Sequence, residues 1–351
     1  MTFKVATFNI WHGLNGDSSI NMESLEPKGR KFLRLNYQRD ILRDLAVDLV
    51  FLQEVNPCPR LSKELAEHLN LDEVHQIDNA GIKLLGFGFP KKLFGGITIL
   101  AQRNLGLKHV ESVKLSGPRF SFCNEFLSLQ LHEHRYCLIV EVSHPSFGRI
   151  LCANVHLHHG LELSLSLVKN INSLREANLI SQSDYDQIMA IGRAAQERRF
   201  HEIKTMAEAF KRIQAAQKYQ GLILAGDLNC SEESQEWQNI IDLGFSDNNI
   251  KLNGPNTNFT WNTQENKVNH DLGKNFHFPW FLNKKFTDLA ARDNLRLALM
   301  DNEFRKRRID YIFSKGDIDK ALVSSILFAD RPNKNELVAS DHFGVVSEFK
   351  F

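Results

Sequence analysis

Residues 225–230 read AGDLNC and follow the run Gly221 to Leu224, GLIL. A strand that is apolar up to Gly226 and then turns to Asp-Leu-Asn ends on polar groups. Strand side chains alternate between faces, so this reading puts Asp227 and Asn229 together on one face and Leu228 on the other. A carboxylate at the end of a buried strand costs free energy unless it is paired, hydrogen-bonded or bound to a cation. The same pattern recurs along the chain. Asn9 closes KVATFN, Glu54 closes DLVFLQE, His156 sits in NVHLHHG, Asp310 lies in RRIDYIF, and Asp341 and His342 precede FGVVSEFKF.

The donor types in this series define a chemistry. Oxygens from Asn, Asp and Glu suit a hard cation such as Mg²⁺, with Mn²⁺ as a substitute. Thiolates are missing from the series, which argues against zinc or iron–sulfur. Two histidines add groups that exchange protons near neutral pH. Each residue also has a plainer reading. Asn9 alone fits a turn, Glu54 a solvent-facing strand end, VHLHHG a wet strand end, and Asp310 a surface pair with Arg307 or Arg308. A zinc hydrolase built on His156, His158 and His159 is a further alternative, but it lacks a fourth ligand.

The bulk numbers bound the class. The chain has 351 residues, 42% apolar and 24% charged, which is globular composition. Net charge is +1 from 43 basic and 42 acidic side chains, without the basic excess of a non-specific nucleic-acid binder. Five cysteines (Cys58, Cys123, Cys137, Cys152, Cys230) form an odd set with no CxxC spacing. That argues against a disulfide framework and suits a reducing compartment. MTFKVATFNIW alternates like a strand and lacks a signal-peptide core, and no window is apolar for 18 residues. The expectation is a cytoplasmic protein, with signal-independent export left open.

Strand-like and helix-like segments alternate throughout. Ile41, Leu42 and Leu45 mark a helix over 37–46, Leu61, Leu65 and Leu69 a second, and Ile203, Met206, Phe210 and Ile213 a long third. GIKLLGFGFPKKLFGG (81–96) reads as a hairpin entering the strand ITILAQ. No repeat, linker or Gly-rich dinucleotide turn interrupts the chain. A single domain over 1–351 with a mixed-sheet α/β sandwich fold is expected.

In order, TFNIW, FLQEV, NVHLHH, AGDLN, RIDYIF and SDHFG resemble the motifs of the endonuclease/exonuclease/phosphatase superfamily. The resemblance spans Thr7 to the last strand, and GDLN with SDH is its most specific part. It implies a four-layer α/β sandwich: two packed mixed, mainly antiparallel sheets flanked by helices, with the active site at one end. It also implies roles. Glu54 is the principal Mg²⁺ ligand, with Asn9 and Asp341 completing the site. Asp227 orients or deprotonates the attacking water, and Asn229 holds the phosphate. His342 contacts the scissile phosphate while Asp310 fixes its ring, and His156 is a proton donor or phosphate ligand. Asp227, Asn229 and His342 are the candidate ligands of a second metal.

The shared catalytic set does not name the substrate. Trp11 stands where abasic-site endonucleases tend to carry an acidic residue, and inositol-phosphatase substrate motifs have no clear counterpart. NFTWNTQENKV resembles a loop shared by tyrosyl-DNA phosphodiesterases and many bacterial members, so it does not select among them, and NVHLHHG resembles a stretch of neutral sphingomyelinases. Two segments extend the scaffold, a helical insertion at about 161–190 and a loop insertion at about 266–305. The latter contains NFHFPWFLNKKF, whose aromatics suit base stacking, peripheral membrane contact or a small satellite core. The leading expectation is a Mg²⁺-dependent phosphodiesterase on nucleic acid. The alternatives are sphingomyelinase-like cleavage of a phospholipid headgroup, a phosphatase of a small or inositol phosphate, and an inactive relative that binds phosphorylated ligands.

Overall fold

The protein is described from a computed structural model over residues 2–12, 14–15, 24–25, 28–79, 82–84, 87–89, 94–118, 122–123, 127–129, 134–266, 289–333 and 337–350. The chain enters on β1 (Thr2–Asn9), crosses through α1 (Lys28–Leu45) to β2 (Leu49–Val55), and continues through α2 (Cys58–Leu69), β3 (Leu71–Asn79) and β4 (Gly95–Gln102). It then passes to β5 (Lys108–Ser116), β6 (Arg135–His144) and β7 (Gly148–His156). After α3 (Leu165–Glu176) and the long α4 (Gln182–Ala216) come β8 (Gly221–Asp227), α5 (Gln235–Asp242), β9 (Ser246–Asp247) and α6 (Asn248–Asn253). α7 (Leu289–Glu303), β10 (Asp310–Gly316), β11 (Leu322–Phe328) and β12 (Gly344–Lys350) complete the fold.

Two six-stranded mixed sheets result, ordered β11-β12-β1-β2-β4-β3 and β9-β10-β8-β7-β6-β5. Strand alternation divides the side chains between two burial layers. Phe3, Val5, Phe51, Ile97 and Ile99 of the first sheet pack on Leu138, Val140, Ile150, Cys152, Ile223 and Ile312 of the second. The opposite face of the first sheet carries Ala6, Phe8, Val50, Leu52 and Leu100 beneath Leu42 of α1 and Leu61 and Leu65 of α2. On the outer face of the second sheet, Cys137, Ile139, Leu151 and Val155 lie under Ile203, Met206, Phe210 and Ile213 of α4. Both faces of each sheet are covered, which is why these strands read as nearly unbroken apolar runs. The order of layers is helix, sheet, sheet, helix, as the resemblance implied.

Polar groups cross the inter-sheet layer at one end. Gln53 Nε2 donates to Asn154 Oδ1 at 2.8 Å, and Asn154 Nδ2 donates to the carbonyls of Leu52 and Thr98, each at 2.9 Å. Every one of these side chains is fully buried, so the bonds satisfy groups that burial would otherwise penalise.

The extensions differ in part from the sequence reading. Residues 165–176 and the start of α4 are helical, and so is 289–303, which the sequence reading placed in a loop insertion. Leu295, Ala298 and Leu299 of α7 pack on Leu167, Ile171, Ile180 and Ile188 in a separate small core. Tertiary packing on this stripe supports a helix whose own sequence is diluted by Asp and Asn. The aromatic run NFHFPWFLNKKF lies outside the described residues. The hairpin expected over 81–96 is present as Ile82–Leu84 paired with Phe87–Phe89, within a small four-stranded sheet. Cys58, Cys137, Cys152 and Cys230 are buried and unbridged, and no described helix is long and apolar enough to cross a membrane.

Gly226, inside the motif that opened the analysis, has φ +140°, and a Cβ there would lie 1.9 Å from the Val155 carbonyl oxygen on the neighbouring strand. Gly226→Ala is expected to destabilise the fold by more than about 1 kcal/mol, read as a lower urea midpoint at unchanged m-value. An unchanged midpoint would mean that β7 and β8 do not approach this closely.

Candidate active site

Strand direction brings the polar ends to one rim. β1 and β2 run parallel, so Asn9 aligns with Gln53 and Glu54 comes one residue later. β12 runs antiparallel to β1, with Val345 opposite Thr7, which places Asp341 and His342 at the same rim just before the strand begins. In the second sheet β7 and β8 are parallel with His156 beside Asp227, and antiparallel β10 sets Asp310 beside Asp227.

On the first sheet, alternation would send Glu54 outward with Val50 and Leu52. It does not go there. Glu54 adopts φ +57°, and the β2–β4 register breaks between Leu52 and Val55. A non-glycine residue in the left-handed region is uncommon and costs about 1–3 kcal/mol. Here it swings the carboxylate into the site. Glu54 Oε1 accepts Asn9 Nδ2 at 3.1 Å, and Oε2 accepts the His12 backbone N–H at 3.1 Å with His12 Nε2 at 3.4 Å. Asn9 Nδ2 also donates to Asp227 Oδ2 of the other sheet at 3.1 Å, while Asn9 Oδ1 accepts from Trp11 N–H. Asp341 is placed through Ser340, whose Oγ lies 2.7 Å from Asn9 O and 3.1 Å from Asp341 Oδ1.

On the second sheet the expected juxtaposition of Asp227 and Asn229 is present, but strand alternation is not its cause. β8 stops at Asp227, and Asn229 is left-handed at φ +51°. The turn folds the Asn229 N–H back onto Asp227 Oδ1 at 2.8 Å. The Asn229 amide is held at both ends, donating from Nδ2 to Leu157 O at 3.0 Å and lying 3.1 Å through Oδ1 from His159 Nδ1. His156 Nε2 is 3.5 Å and His342 Nε2 3.9 Å from Asp227 Oδ2. Asp310 does not pair with Arg307 or Arg308 at the surface. It is fully buried and binds His342 Nδ1 through Oδ2 at 2.8 Å, while Arg307 goes to Glu162 and Glu303 and Arg308 to Glu232 and Asp247.

All eight sequence-derived residues, Asn9, Glu54, His156, Asp227, Asn229, Asp310, Asp341 and His342, therefore meet at one rim. The three histidines of VHLHHG do not gather as a common ligand set among the described residues. β7 ends at His156, the backbone of His158 turns to Glu202, and His159 goes to Asn229. Sequence reasoning missed His12, whose only signal was its place after NIW, and missed Thr260 and Trp261 as supports. Thr260 Oγ1 accepts the Ile309 and Asp310 N–H groups at 3.1 Å each, and its carbonyl accepts Phe343 N–H at 2.8 Å. The Trp261 ring meets His342 edge to face at 5.1 Å.

The electrostatics follow from crowding. Burial pushes the Asp227 carboxyl up to about 6, with the neighbouring Asp310 adding to the rise. Asp341 is also raised, by burial first, and Glu54 adds to it. Burial would raise Glu54 too, but His12, His156 and His342 reverse this and hold it well below the usual carboxylate range. His156 is kept neutral by burial and by Arg135. Burial disfavours the charged His342 ring, yet the charge and hydrogen bond of Asp310 outweigh it and push the ring up to about 10. Asp310 thus fixes the orientation of the ring and favours its doubly protonated form.

These residues fit a hard divalent cation. Asp227 and Asp341 are destabilised carboxylates in a buried site, and Asp310 Oδ1 is buried without a hydrogen-bond partner. Donor atoms of Asp227, Asp310 and His342 lie within 4.8 Å of one another.

The raised His342 value has a direct consequence. Its folded-state value lies above the unfolded one, so its contribution to stability is full below about pH 6.5 and is lost as pH rises toward about 10. Asp310→Asn should lower the ring pKa, seen in the NMR titration of the histidine C2 proton, and flatten the fall in unfolding free energy between pH 7 and 10. A wild-type ring titrating near its ordinary value would contradict the Asp310 pairing.

Comparison with known proteins agrees with this geometry. No curated protein matches the sequence. Among solved structures, a truncated TDP2 of Caenorhabditis elegans is similar at TM-score 0.56 and 16% identity, over 100% of this chain and 98% of that one. An endonuclease/exonuclease/phosphatase family protein of Bacteroides thetaiotaomicron gives TM-score 0.57 and 17% identity over 100% and 96%. A mannosyl-6-phosphatase of the same organism gives TM-score 0.57 and 17% identity over 99% and 100%. At such identities these structures establish the fold alone. The sequence model of the Endonuclease/Exonuclease/phosphatase family, in contrast, matches residues 6–342. The chain belongs to that family of hydrolytic phosphoesterases.

Proposed function

We propose that this protein is a Mg²⁺-dependent phosphodiesterase acting on nucleic acid. The observation that carries the reading is the setting of Asp227 Oδ2, which accepts Asn9 Nδ2 at 3.1 Å with His156 Nε2 at 3.5 Å and His342 Nε2 at 3.9 Å. A carboxylate raised to about 6 by burial is matched to taking a proton from water near neutral pH. Asp227 therefore orients and deprotonates the attacking water. The doubly protonated His342 offsets charge building on the phosphate oxygens and carries a proton at Nε2 for the leaving oxygen. Neutral His156 serves as a phosphate ligand, which its depressed pKa favours over the proton-donor alternative. The remaining amide proton of Asn229 adds a second donor, because the other is committed to Leu157. Glu54 and Asp341, with Asn9 between the sheets, would hold a divalent cation, which when bound supplies charge neutralisation at the phosphate.

Support for a nucleic-acid substrate comes from the TDP2 likeness, including a similar structure of D. rerio TDP2 complexed with single strand DNA product, at TM-score 0.55 and 16% identity over 100% and 99% of the two chains. The mannosyl-6-phosphatase neighbour has the same fold, so the substrate must be tested directly.

The test is a panel of bis-p-nitrophenyl phosphate, single-stranded DNA, single-stranded RNA, sphingomyelin liposomes, inositol phosphates and mannose 6-phosphate, with Mg²⁺, Mn²⁺ or EDTA. Nucleic-acid cleavage is expected to need the metal and to fall with rising salt. Asp227→Ala should lower it about 10²–10⁴-fold. Turnover of only a lipid or sugar phosphate would move the reading to that substrate. Absence of hydrolysis on every substrate would leave an inactive binding relative.

A further inference from the structure

One strand beyond His156, the second sheet carries a group of basic and imidazole side chains that the catalytic scheme does not use. β6 begins at Arg135, paired with Ser116 at the end of β5. α4 lays Arg198, Arg199 and Glu202 over this corner. Glu202, fully buried, accepts the His158 backbone N–H at 2.8 Å and Arg198 Nε at 3.3 Å, and is also bonded by the Ser116 hydroxyl. Arg198 Nε reaches Ser116 Oγ as well, at 3.0 Å. Arg199 is matched by Glu236 at 2.9 Å.

What remains is a set of unpartnered polar atoms. Arg198 Nη2, His158 Nδ1 and both ring nitrogens of His134 are buried with no hydrogen-bond partner. His134 is only 2% exposed and stacks on Tyr136 at 6.1 Å with 12° between the planes. Lys114, opposite Tyr136 in the β5–β6 register, adds a further cation beside it. Burial, then Lys114 and Arg198, depress His134 to about 4, and burial with Arg198, Arg135 and Arg199 depresses His158 to about 3. Glu202 is bonded to Arg198 and to the His158 backbone, and Glu236 to Arg199. Buried polar groups left without partners are costly, and a guanidinium N–H beside imidazoles calls for an acceptor with several oxygens and negative charge.

The corner adjoins the reaction centre. His158 follows His156 by two residues, and the Arg135 charge acts on both. Neighbouring strands are roughly 5 Å apart, so β6 and β5 extend the rim away from the scissile phosphate by about one strand spacing each. We infer that His134, His158 and Arg198 form a subsite for a second phosphate of the same substrate, the one adjoining the scissile linkage on a nucleic-acid strand. This inference rests on the phosphodiesterase reading and specifies how that site recognises a strand rather than an isolated ester.

The test uses single-stranded oligonucleotides that carry either a native phosphodiester or an uncharged methylphosphonate at the linkage next to the scissile one, with bis-p-nitrophenyl phosphate as a one-phosphate control. For the wild type, kcat/KM on the oligonucleotide is expected to fall about tenfold on neutralising the adjoining linkage. Arg198→Gln should produce a similar loss on the native strand, and the two losses should not add. The same variant should reduce the slope of log kcat/KM against log salt by about 1. If Arg198→Gln does not fold, Arg198→Lys and His134→Gln enter the same cycle. Additive losses would make these residues structural and overturn the subsite. Equal wild-type turnover of the native and neutralised strands would also overturn it, while leaving the phosphodiesterase reading intact. No hydrolysis of either the strand or bis-p-nitrophenyl phosphate would remove the parent reading, and the subsite with it.

Discussion

A single amide joins the two halves of this molecule where the chemistry is placed. Asn9 Nδ2 donates at 3.1 Å both to Glu54 Oε1 on its own sheet and to Asp227 Oδ2 on the opposite sheet. Two carboxylates are thereby brought within reach of one donor inside a buried rim, where neither could sit unpaired. Beneath it the Gln53–Asn154 bond joins the sheets one layer deeper, so the register of one sheet against the other is set by polar groups and not by apolar packing alone. Apolar side chains tolerate sliding. Hydrogen bonds of fixed length do not, and the site depends on that difference.

The rim is held in an unfavourable backbone conformation. Trp11, Glu54 and Asn229 all take positive φ without being glycine. Strain of this kind persists only where the surroundings over-determine it, and α1 provides the support on the first sheet. Arg34 Nη1 and Gln38 Nε2 donate to the Ile10 carbonyl at 2.7 and 2.8 Å, and Gln38 also reaches Ala339 O at 2.5 Å. The segments bearing Asn9 and Asp341 are thus fastened to one helix face. The Arg34 guanidinium also lies 4.9 Å over the Trp11 ring.

The added helices reach the site through charge. Glu162, between β7 and α3, accepts Arg305 Nη2 at 2.5 Å and Arg307 Nη1 at 3.1 Å. Burial opposes ionisation of this carboxyl, but the two arginines hold it down to about 2. Arg307 in turn exchanges backbone hydrogen bonds with Trp261, whose ring supports His342. A buried carboxylate shared by two guanidinium groups favours one arrangement over alternatives more than it adds net stability. It links the α3–α7 unit to the placement of the His342 ring.

Much of this was legible in the sequence. Apolar runs that end on Asn9, Glu54, His156 and Asp227 identified the strands and the polar residues at their ends, because burial makes a terminal carboxylate costly enough to be informative. Residue order matched a known family, and the layered sandwich followed from it. The sequence could not show how the groups are aimed. Period-two alternation assigned Asp227 and Asn229 to one face for the wrong reason and gave no sign that Glu54 leaves its strand, since a left-handed φ leaves no mark in a residue other than glycine. Nor could local reasoning decide between Asp310 facing Arg307 or Arg308 and Asp310 facing His342. That choice belongs to the antiparallel pairing of β8 with β10 and to Thr260, contacts between residues far apart in the chain. Local sequence determined which groups are present at the strand ends; sheet register and inter-sheet packing decided which of them share a hydrogen bond or a charge.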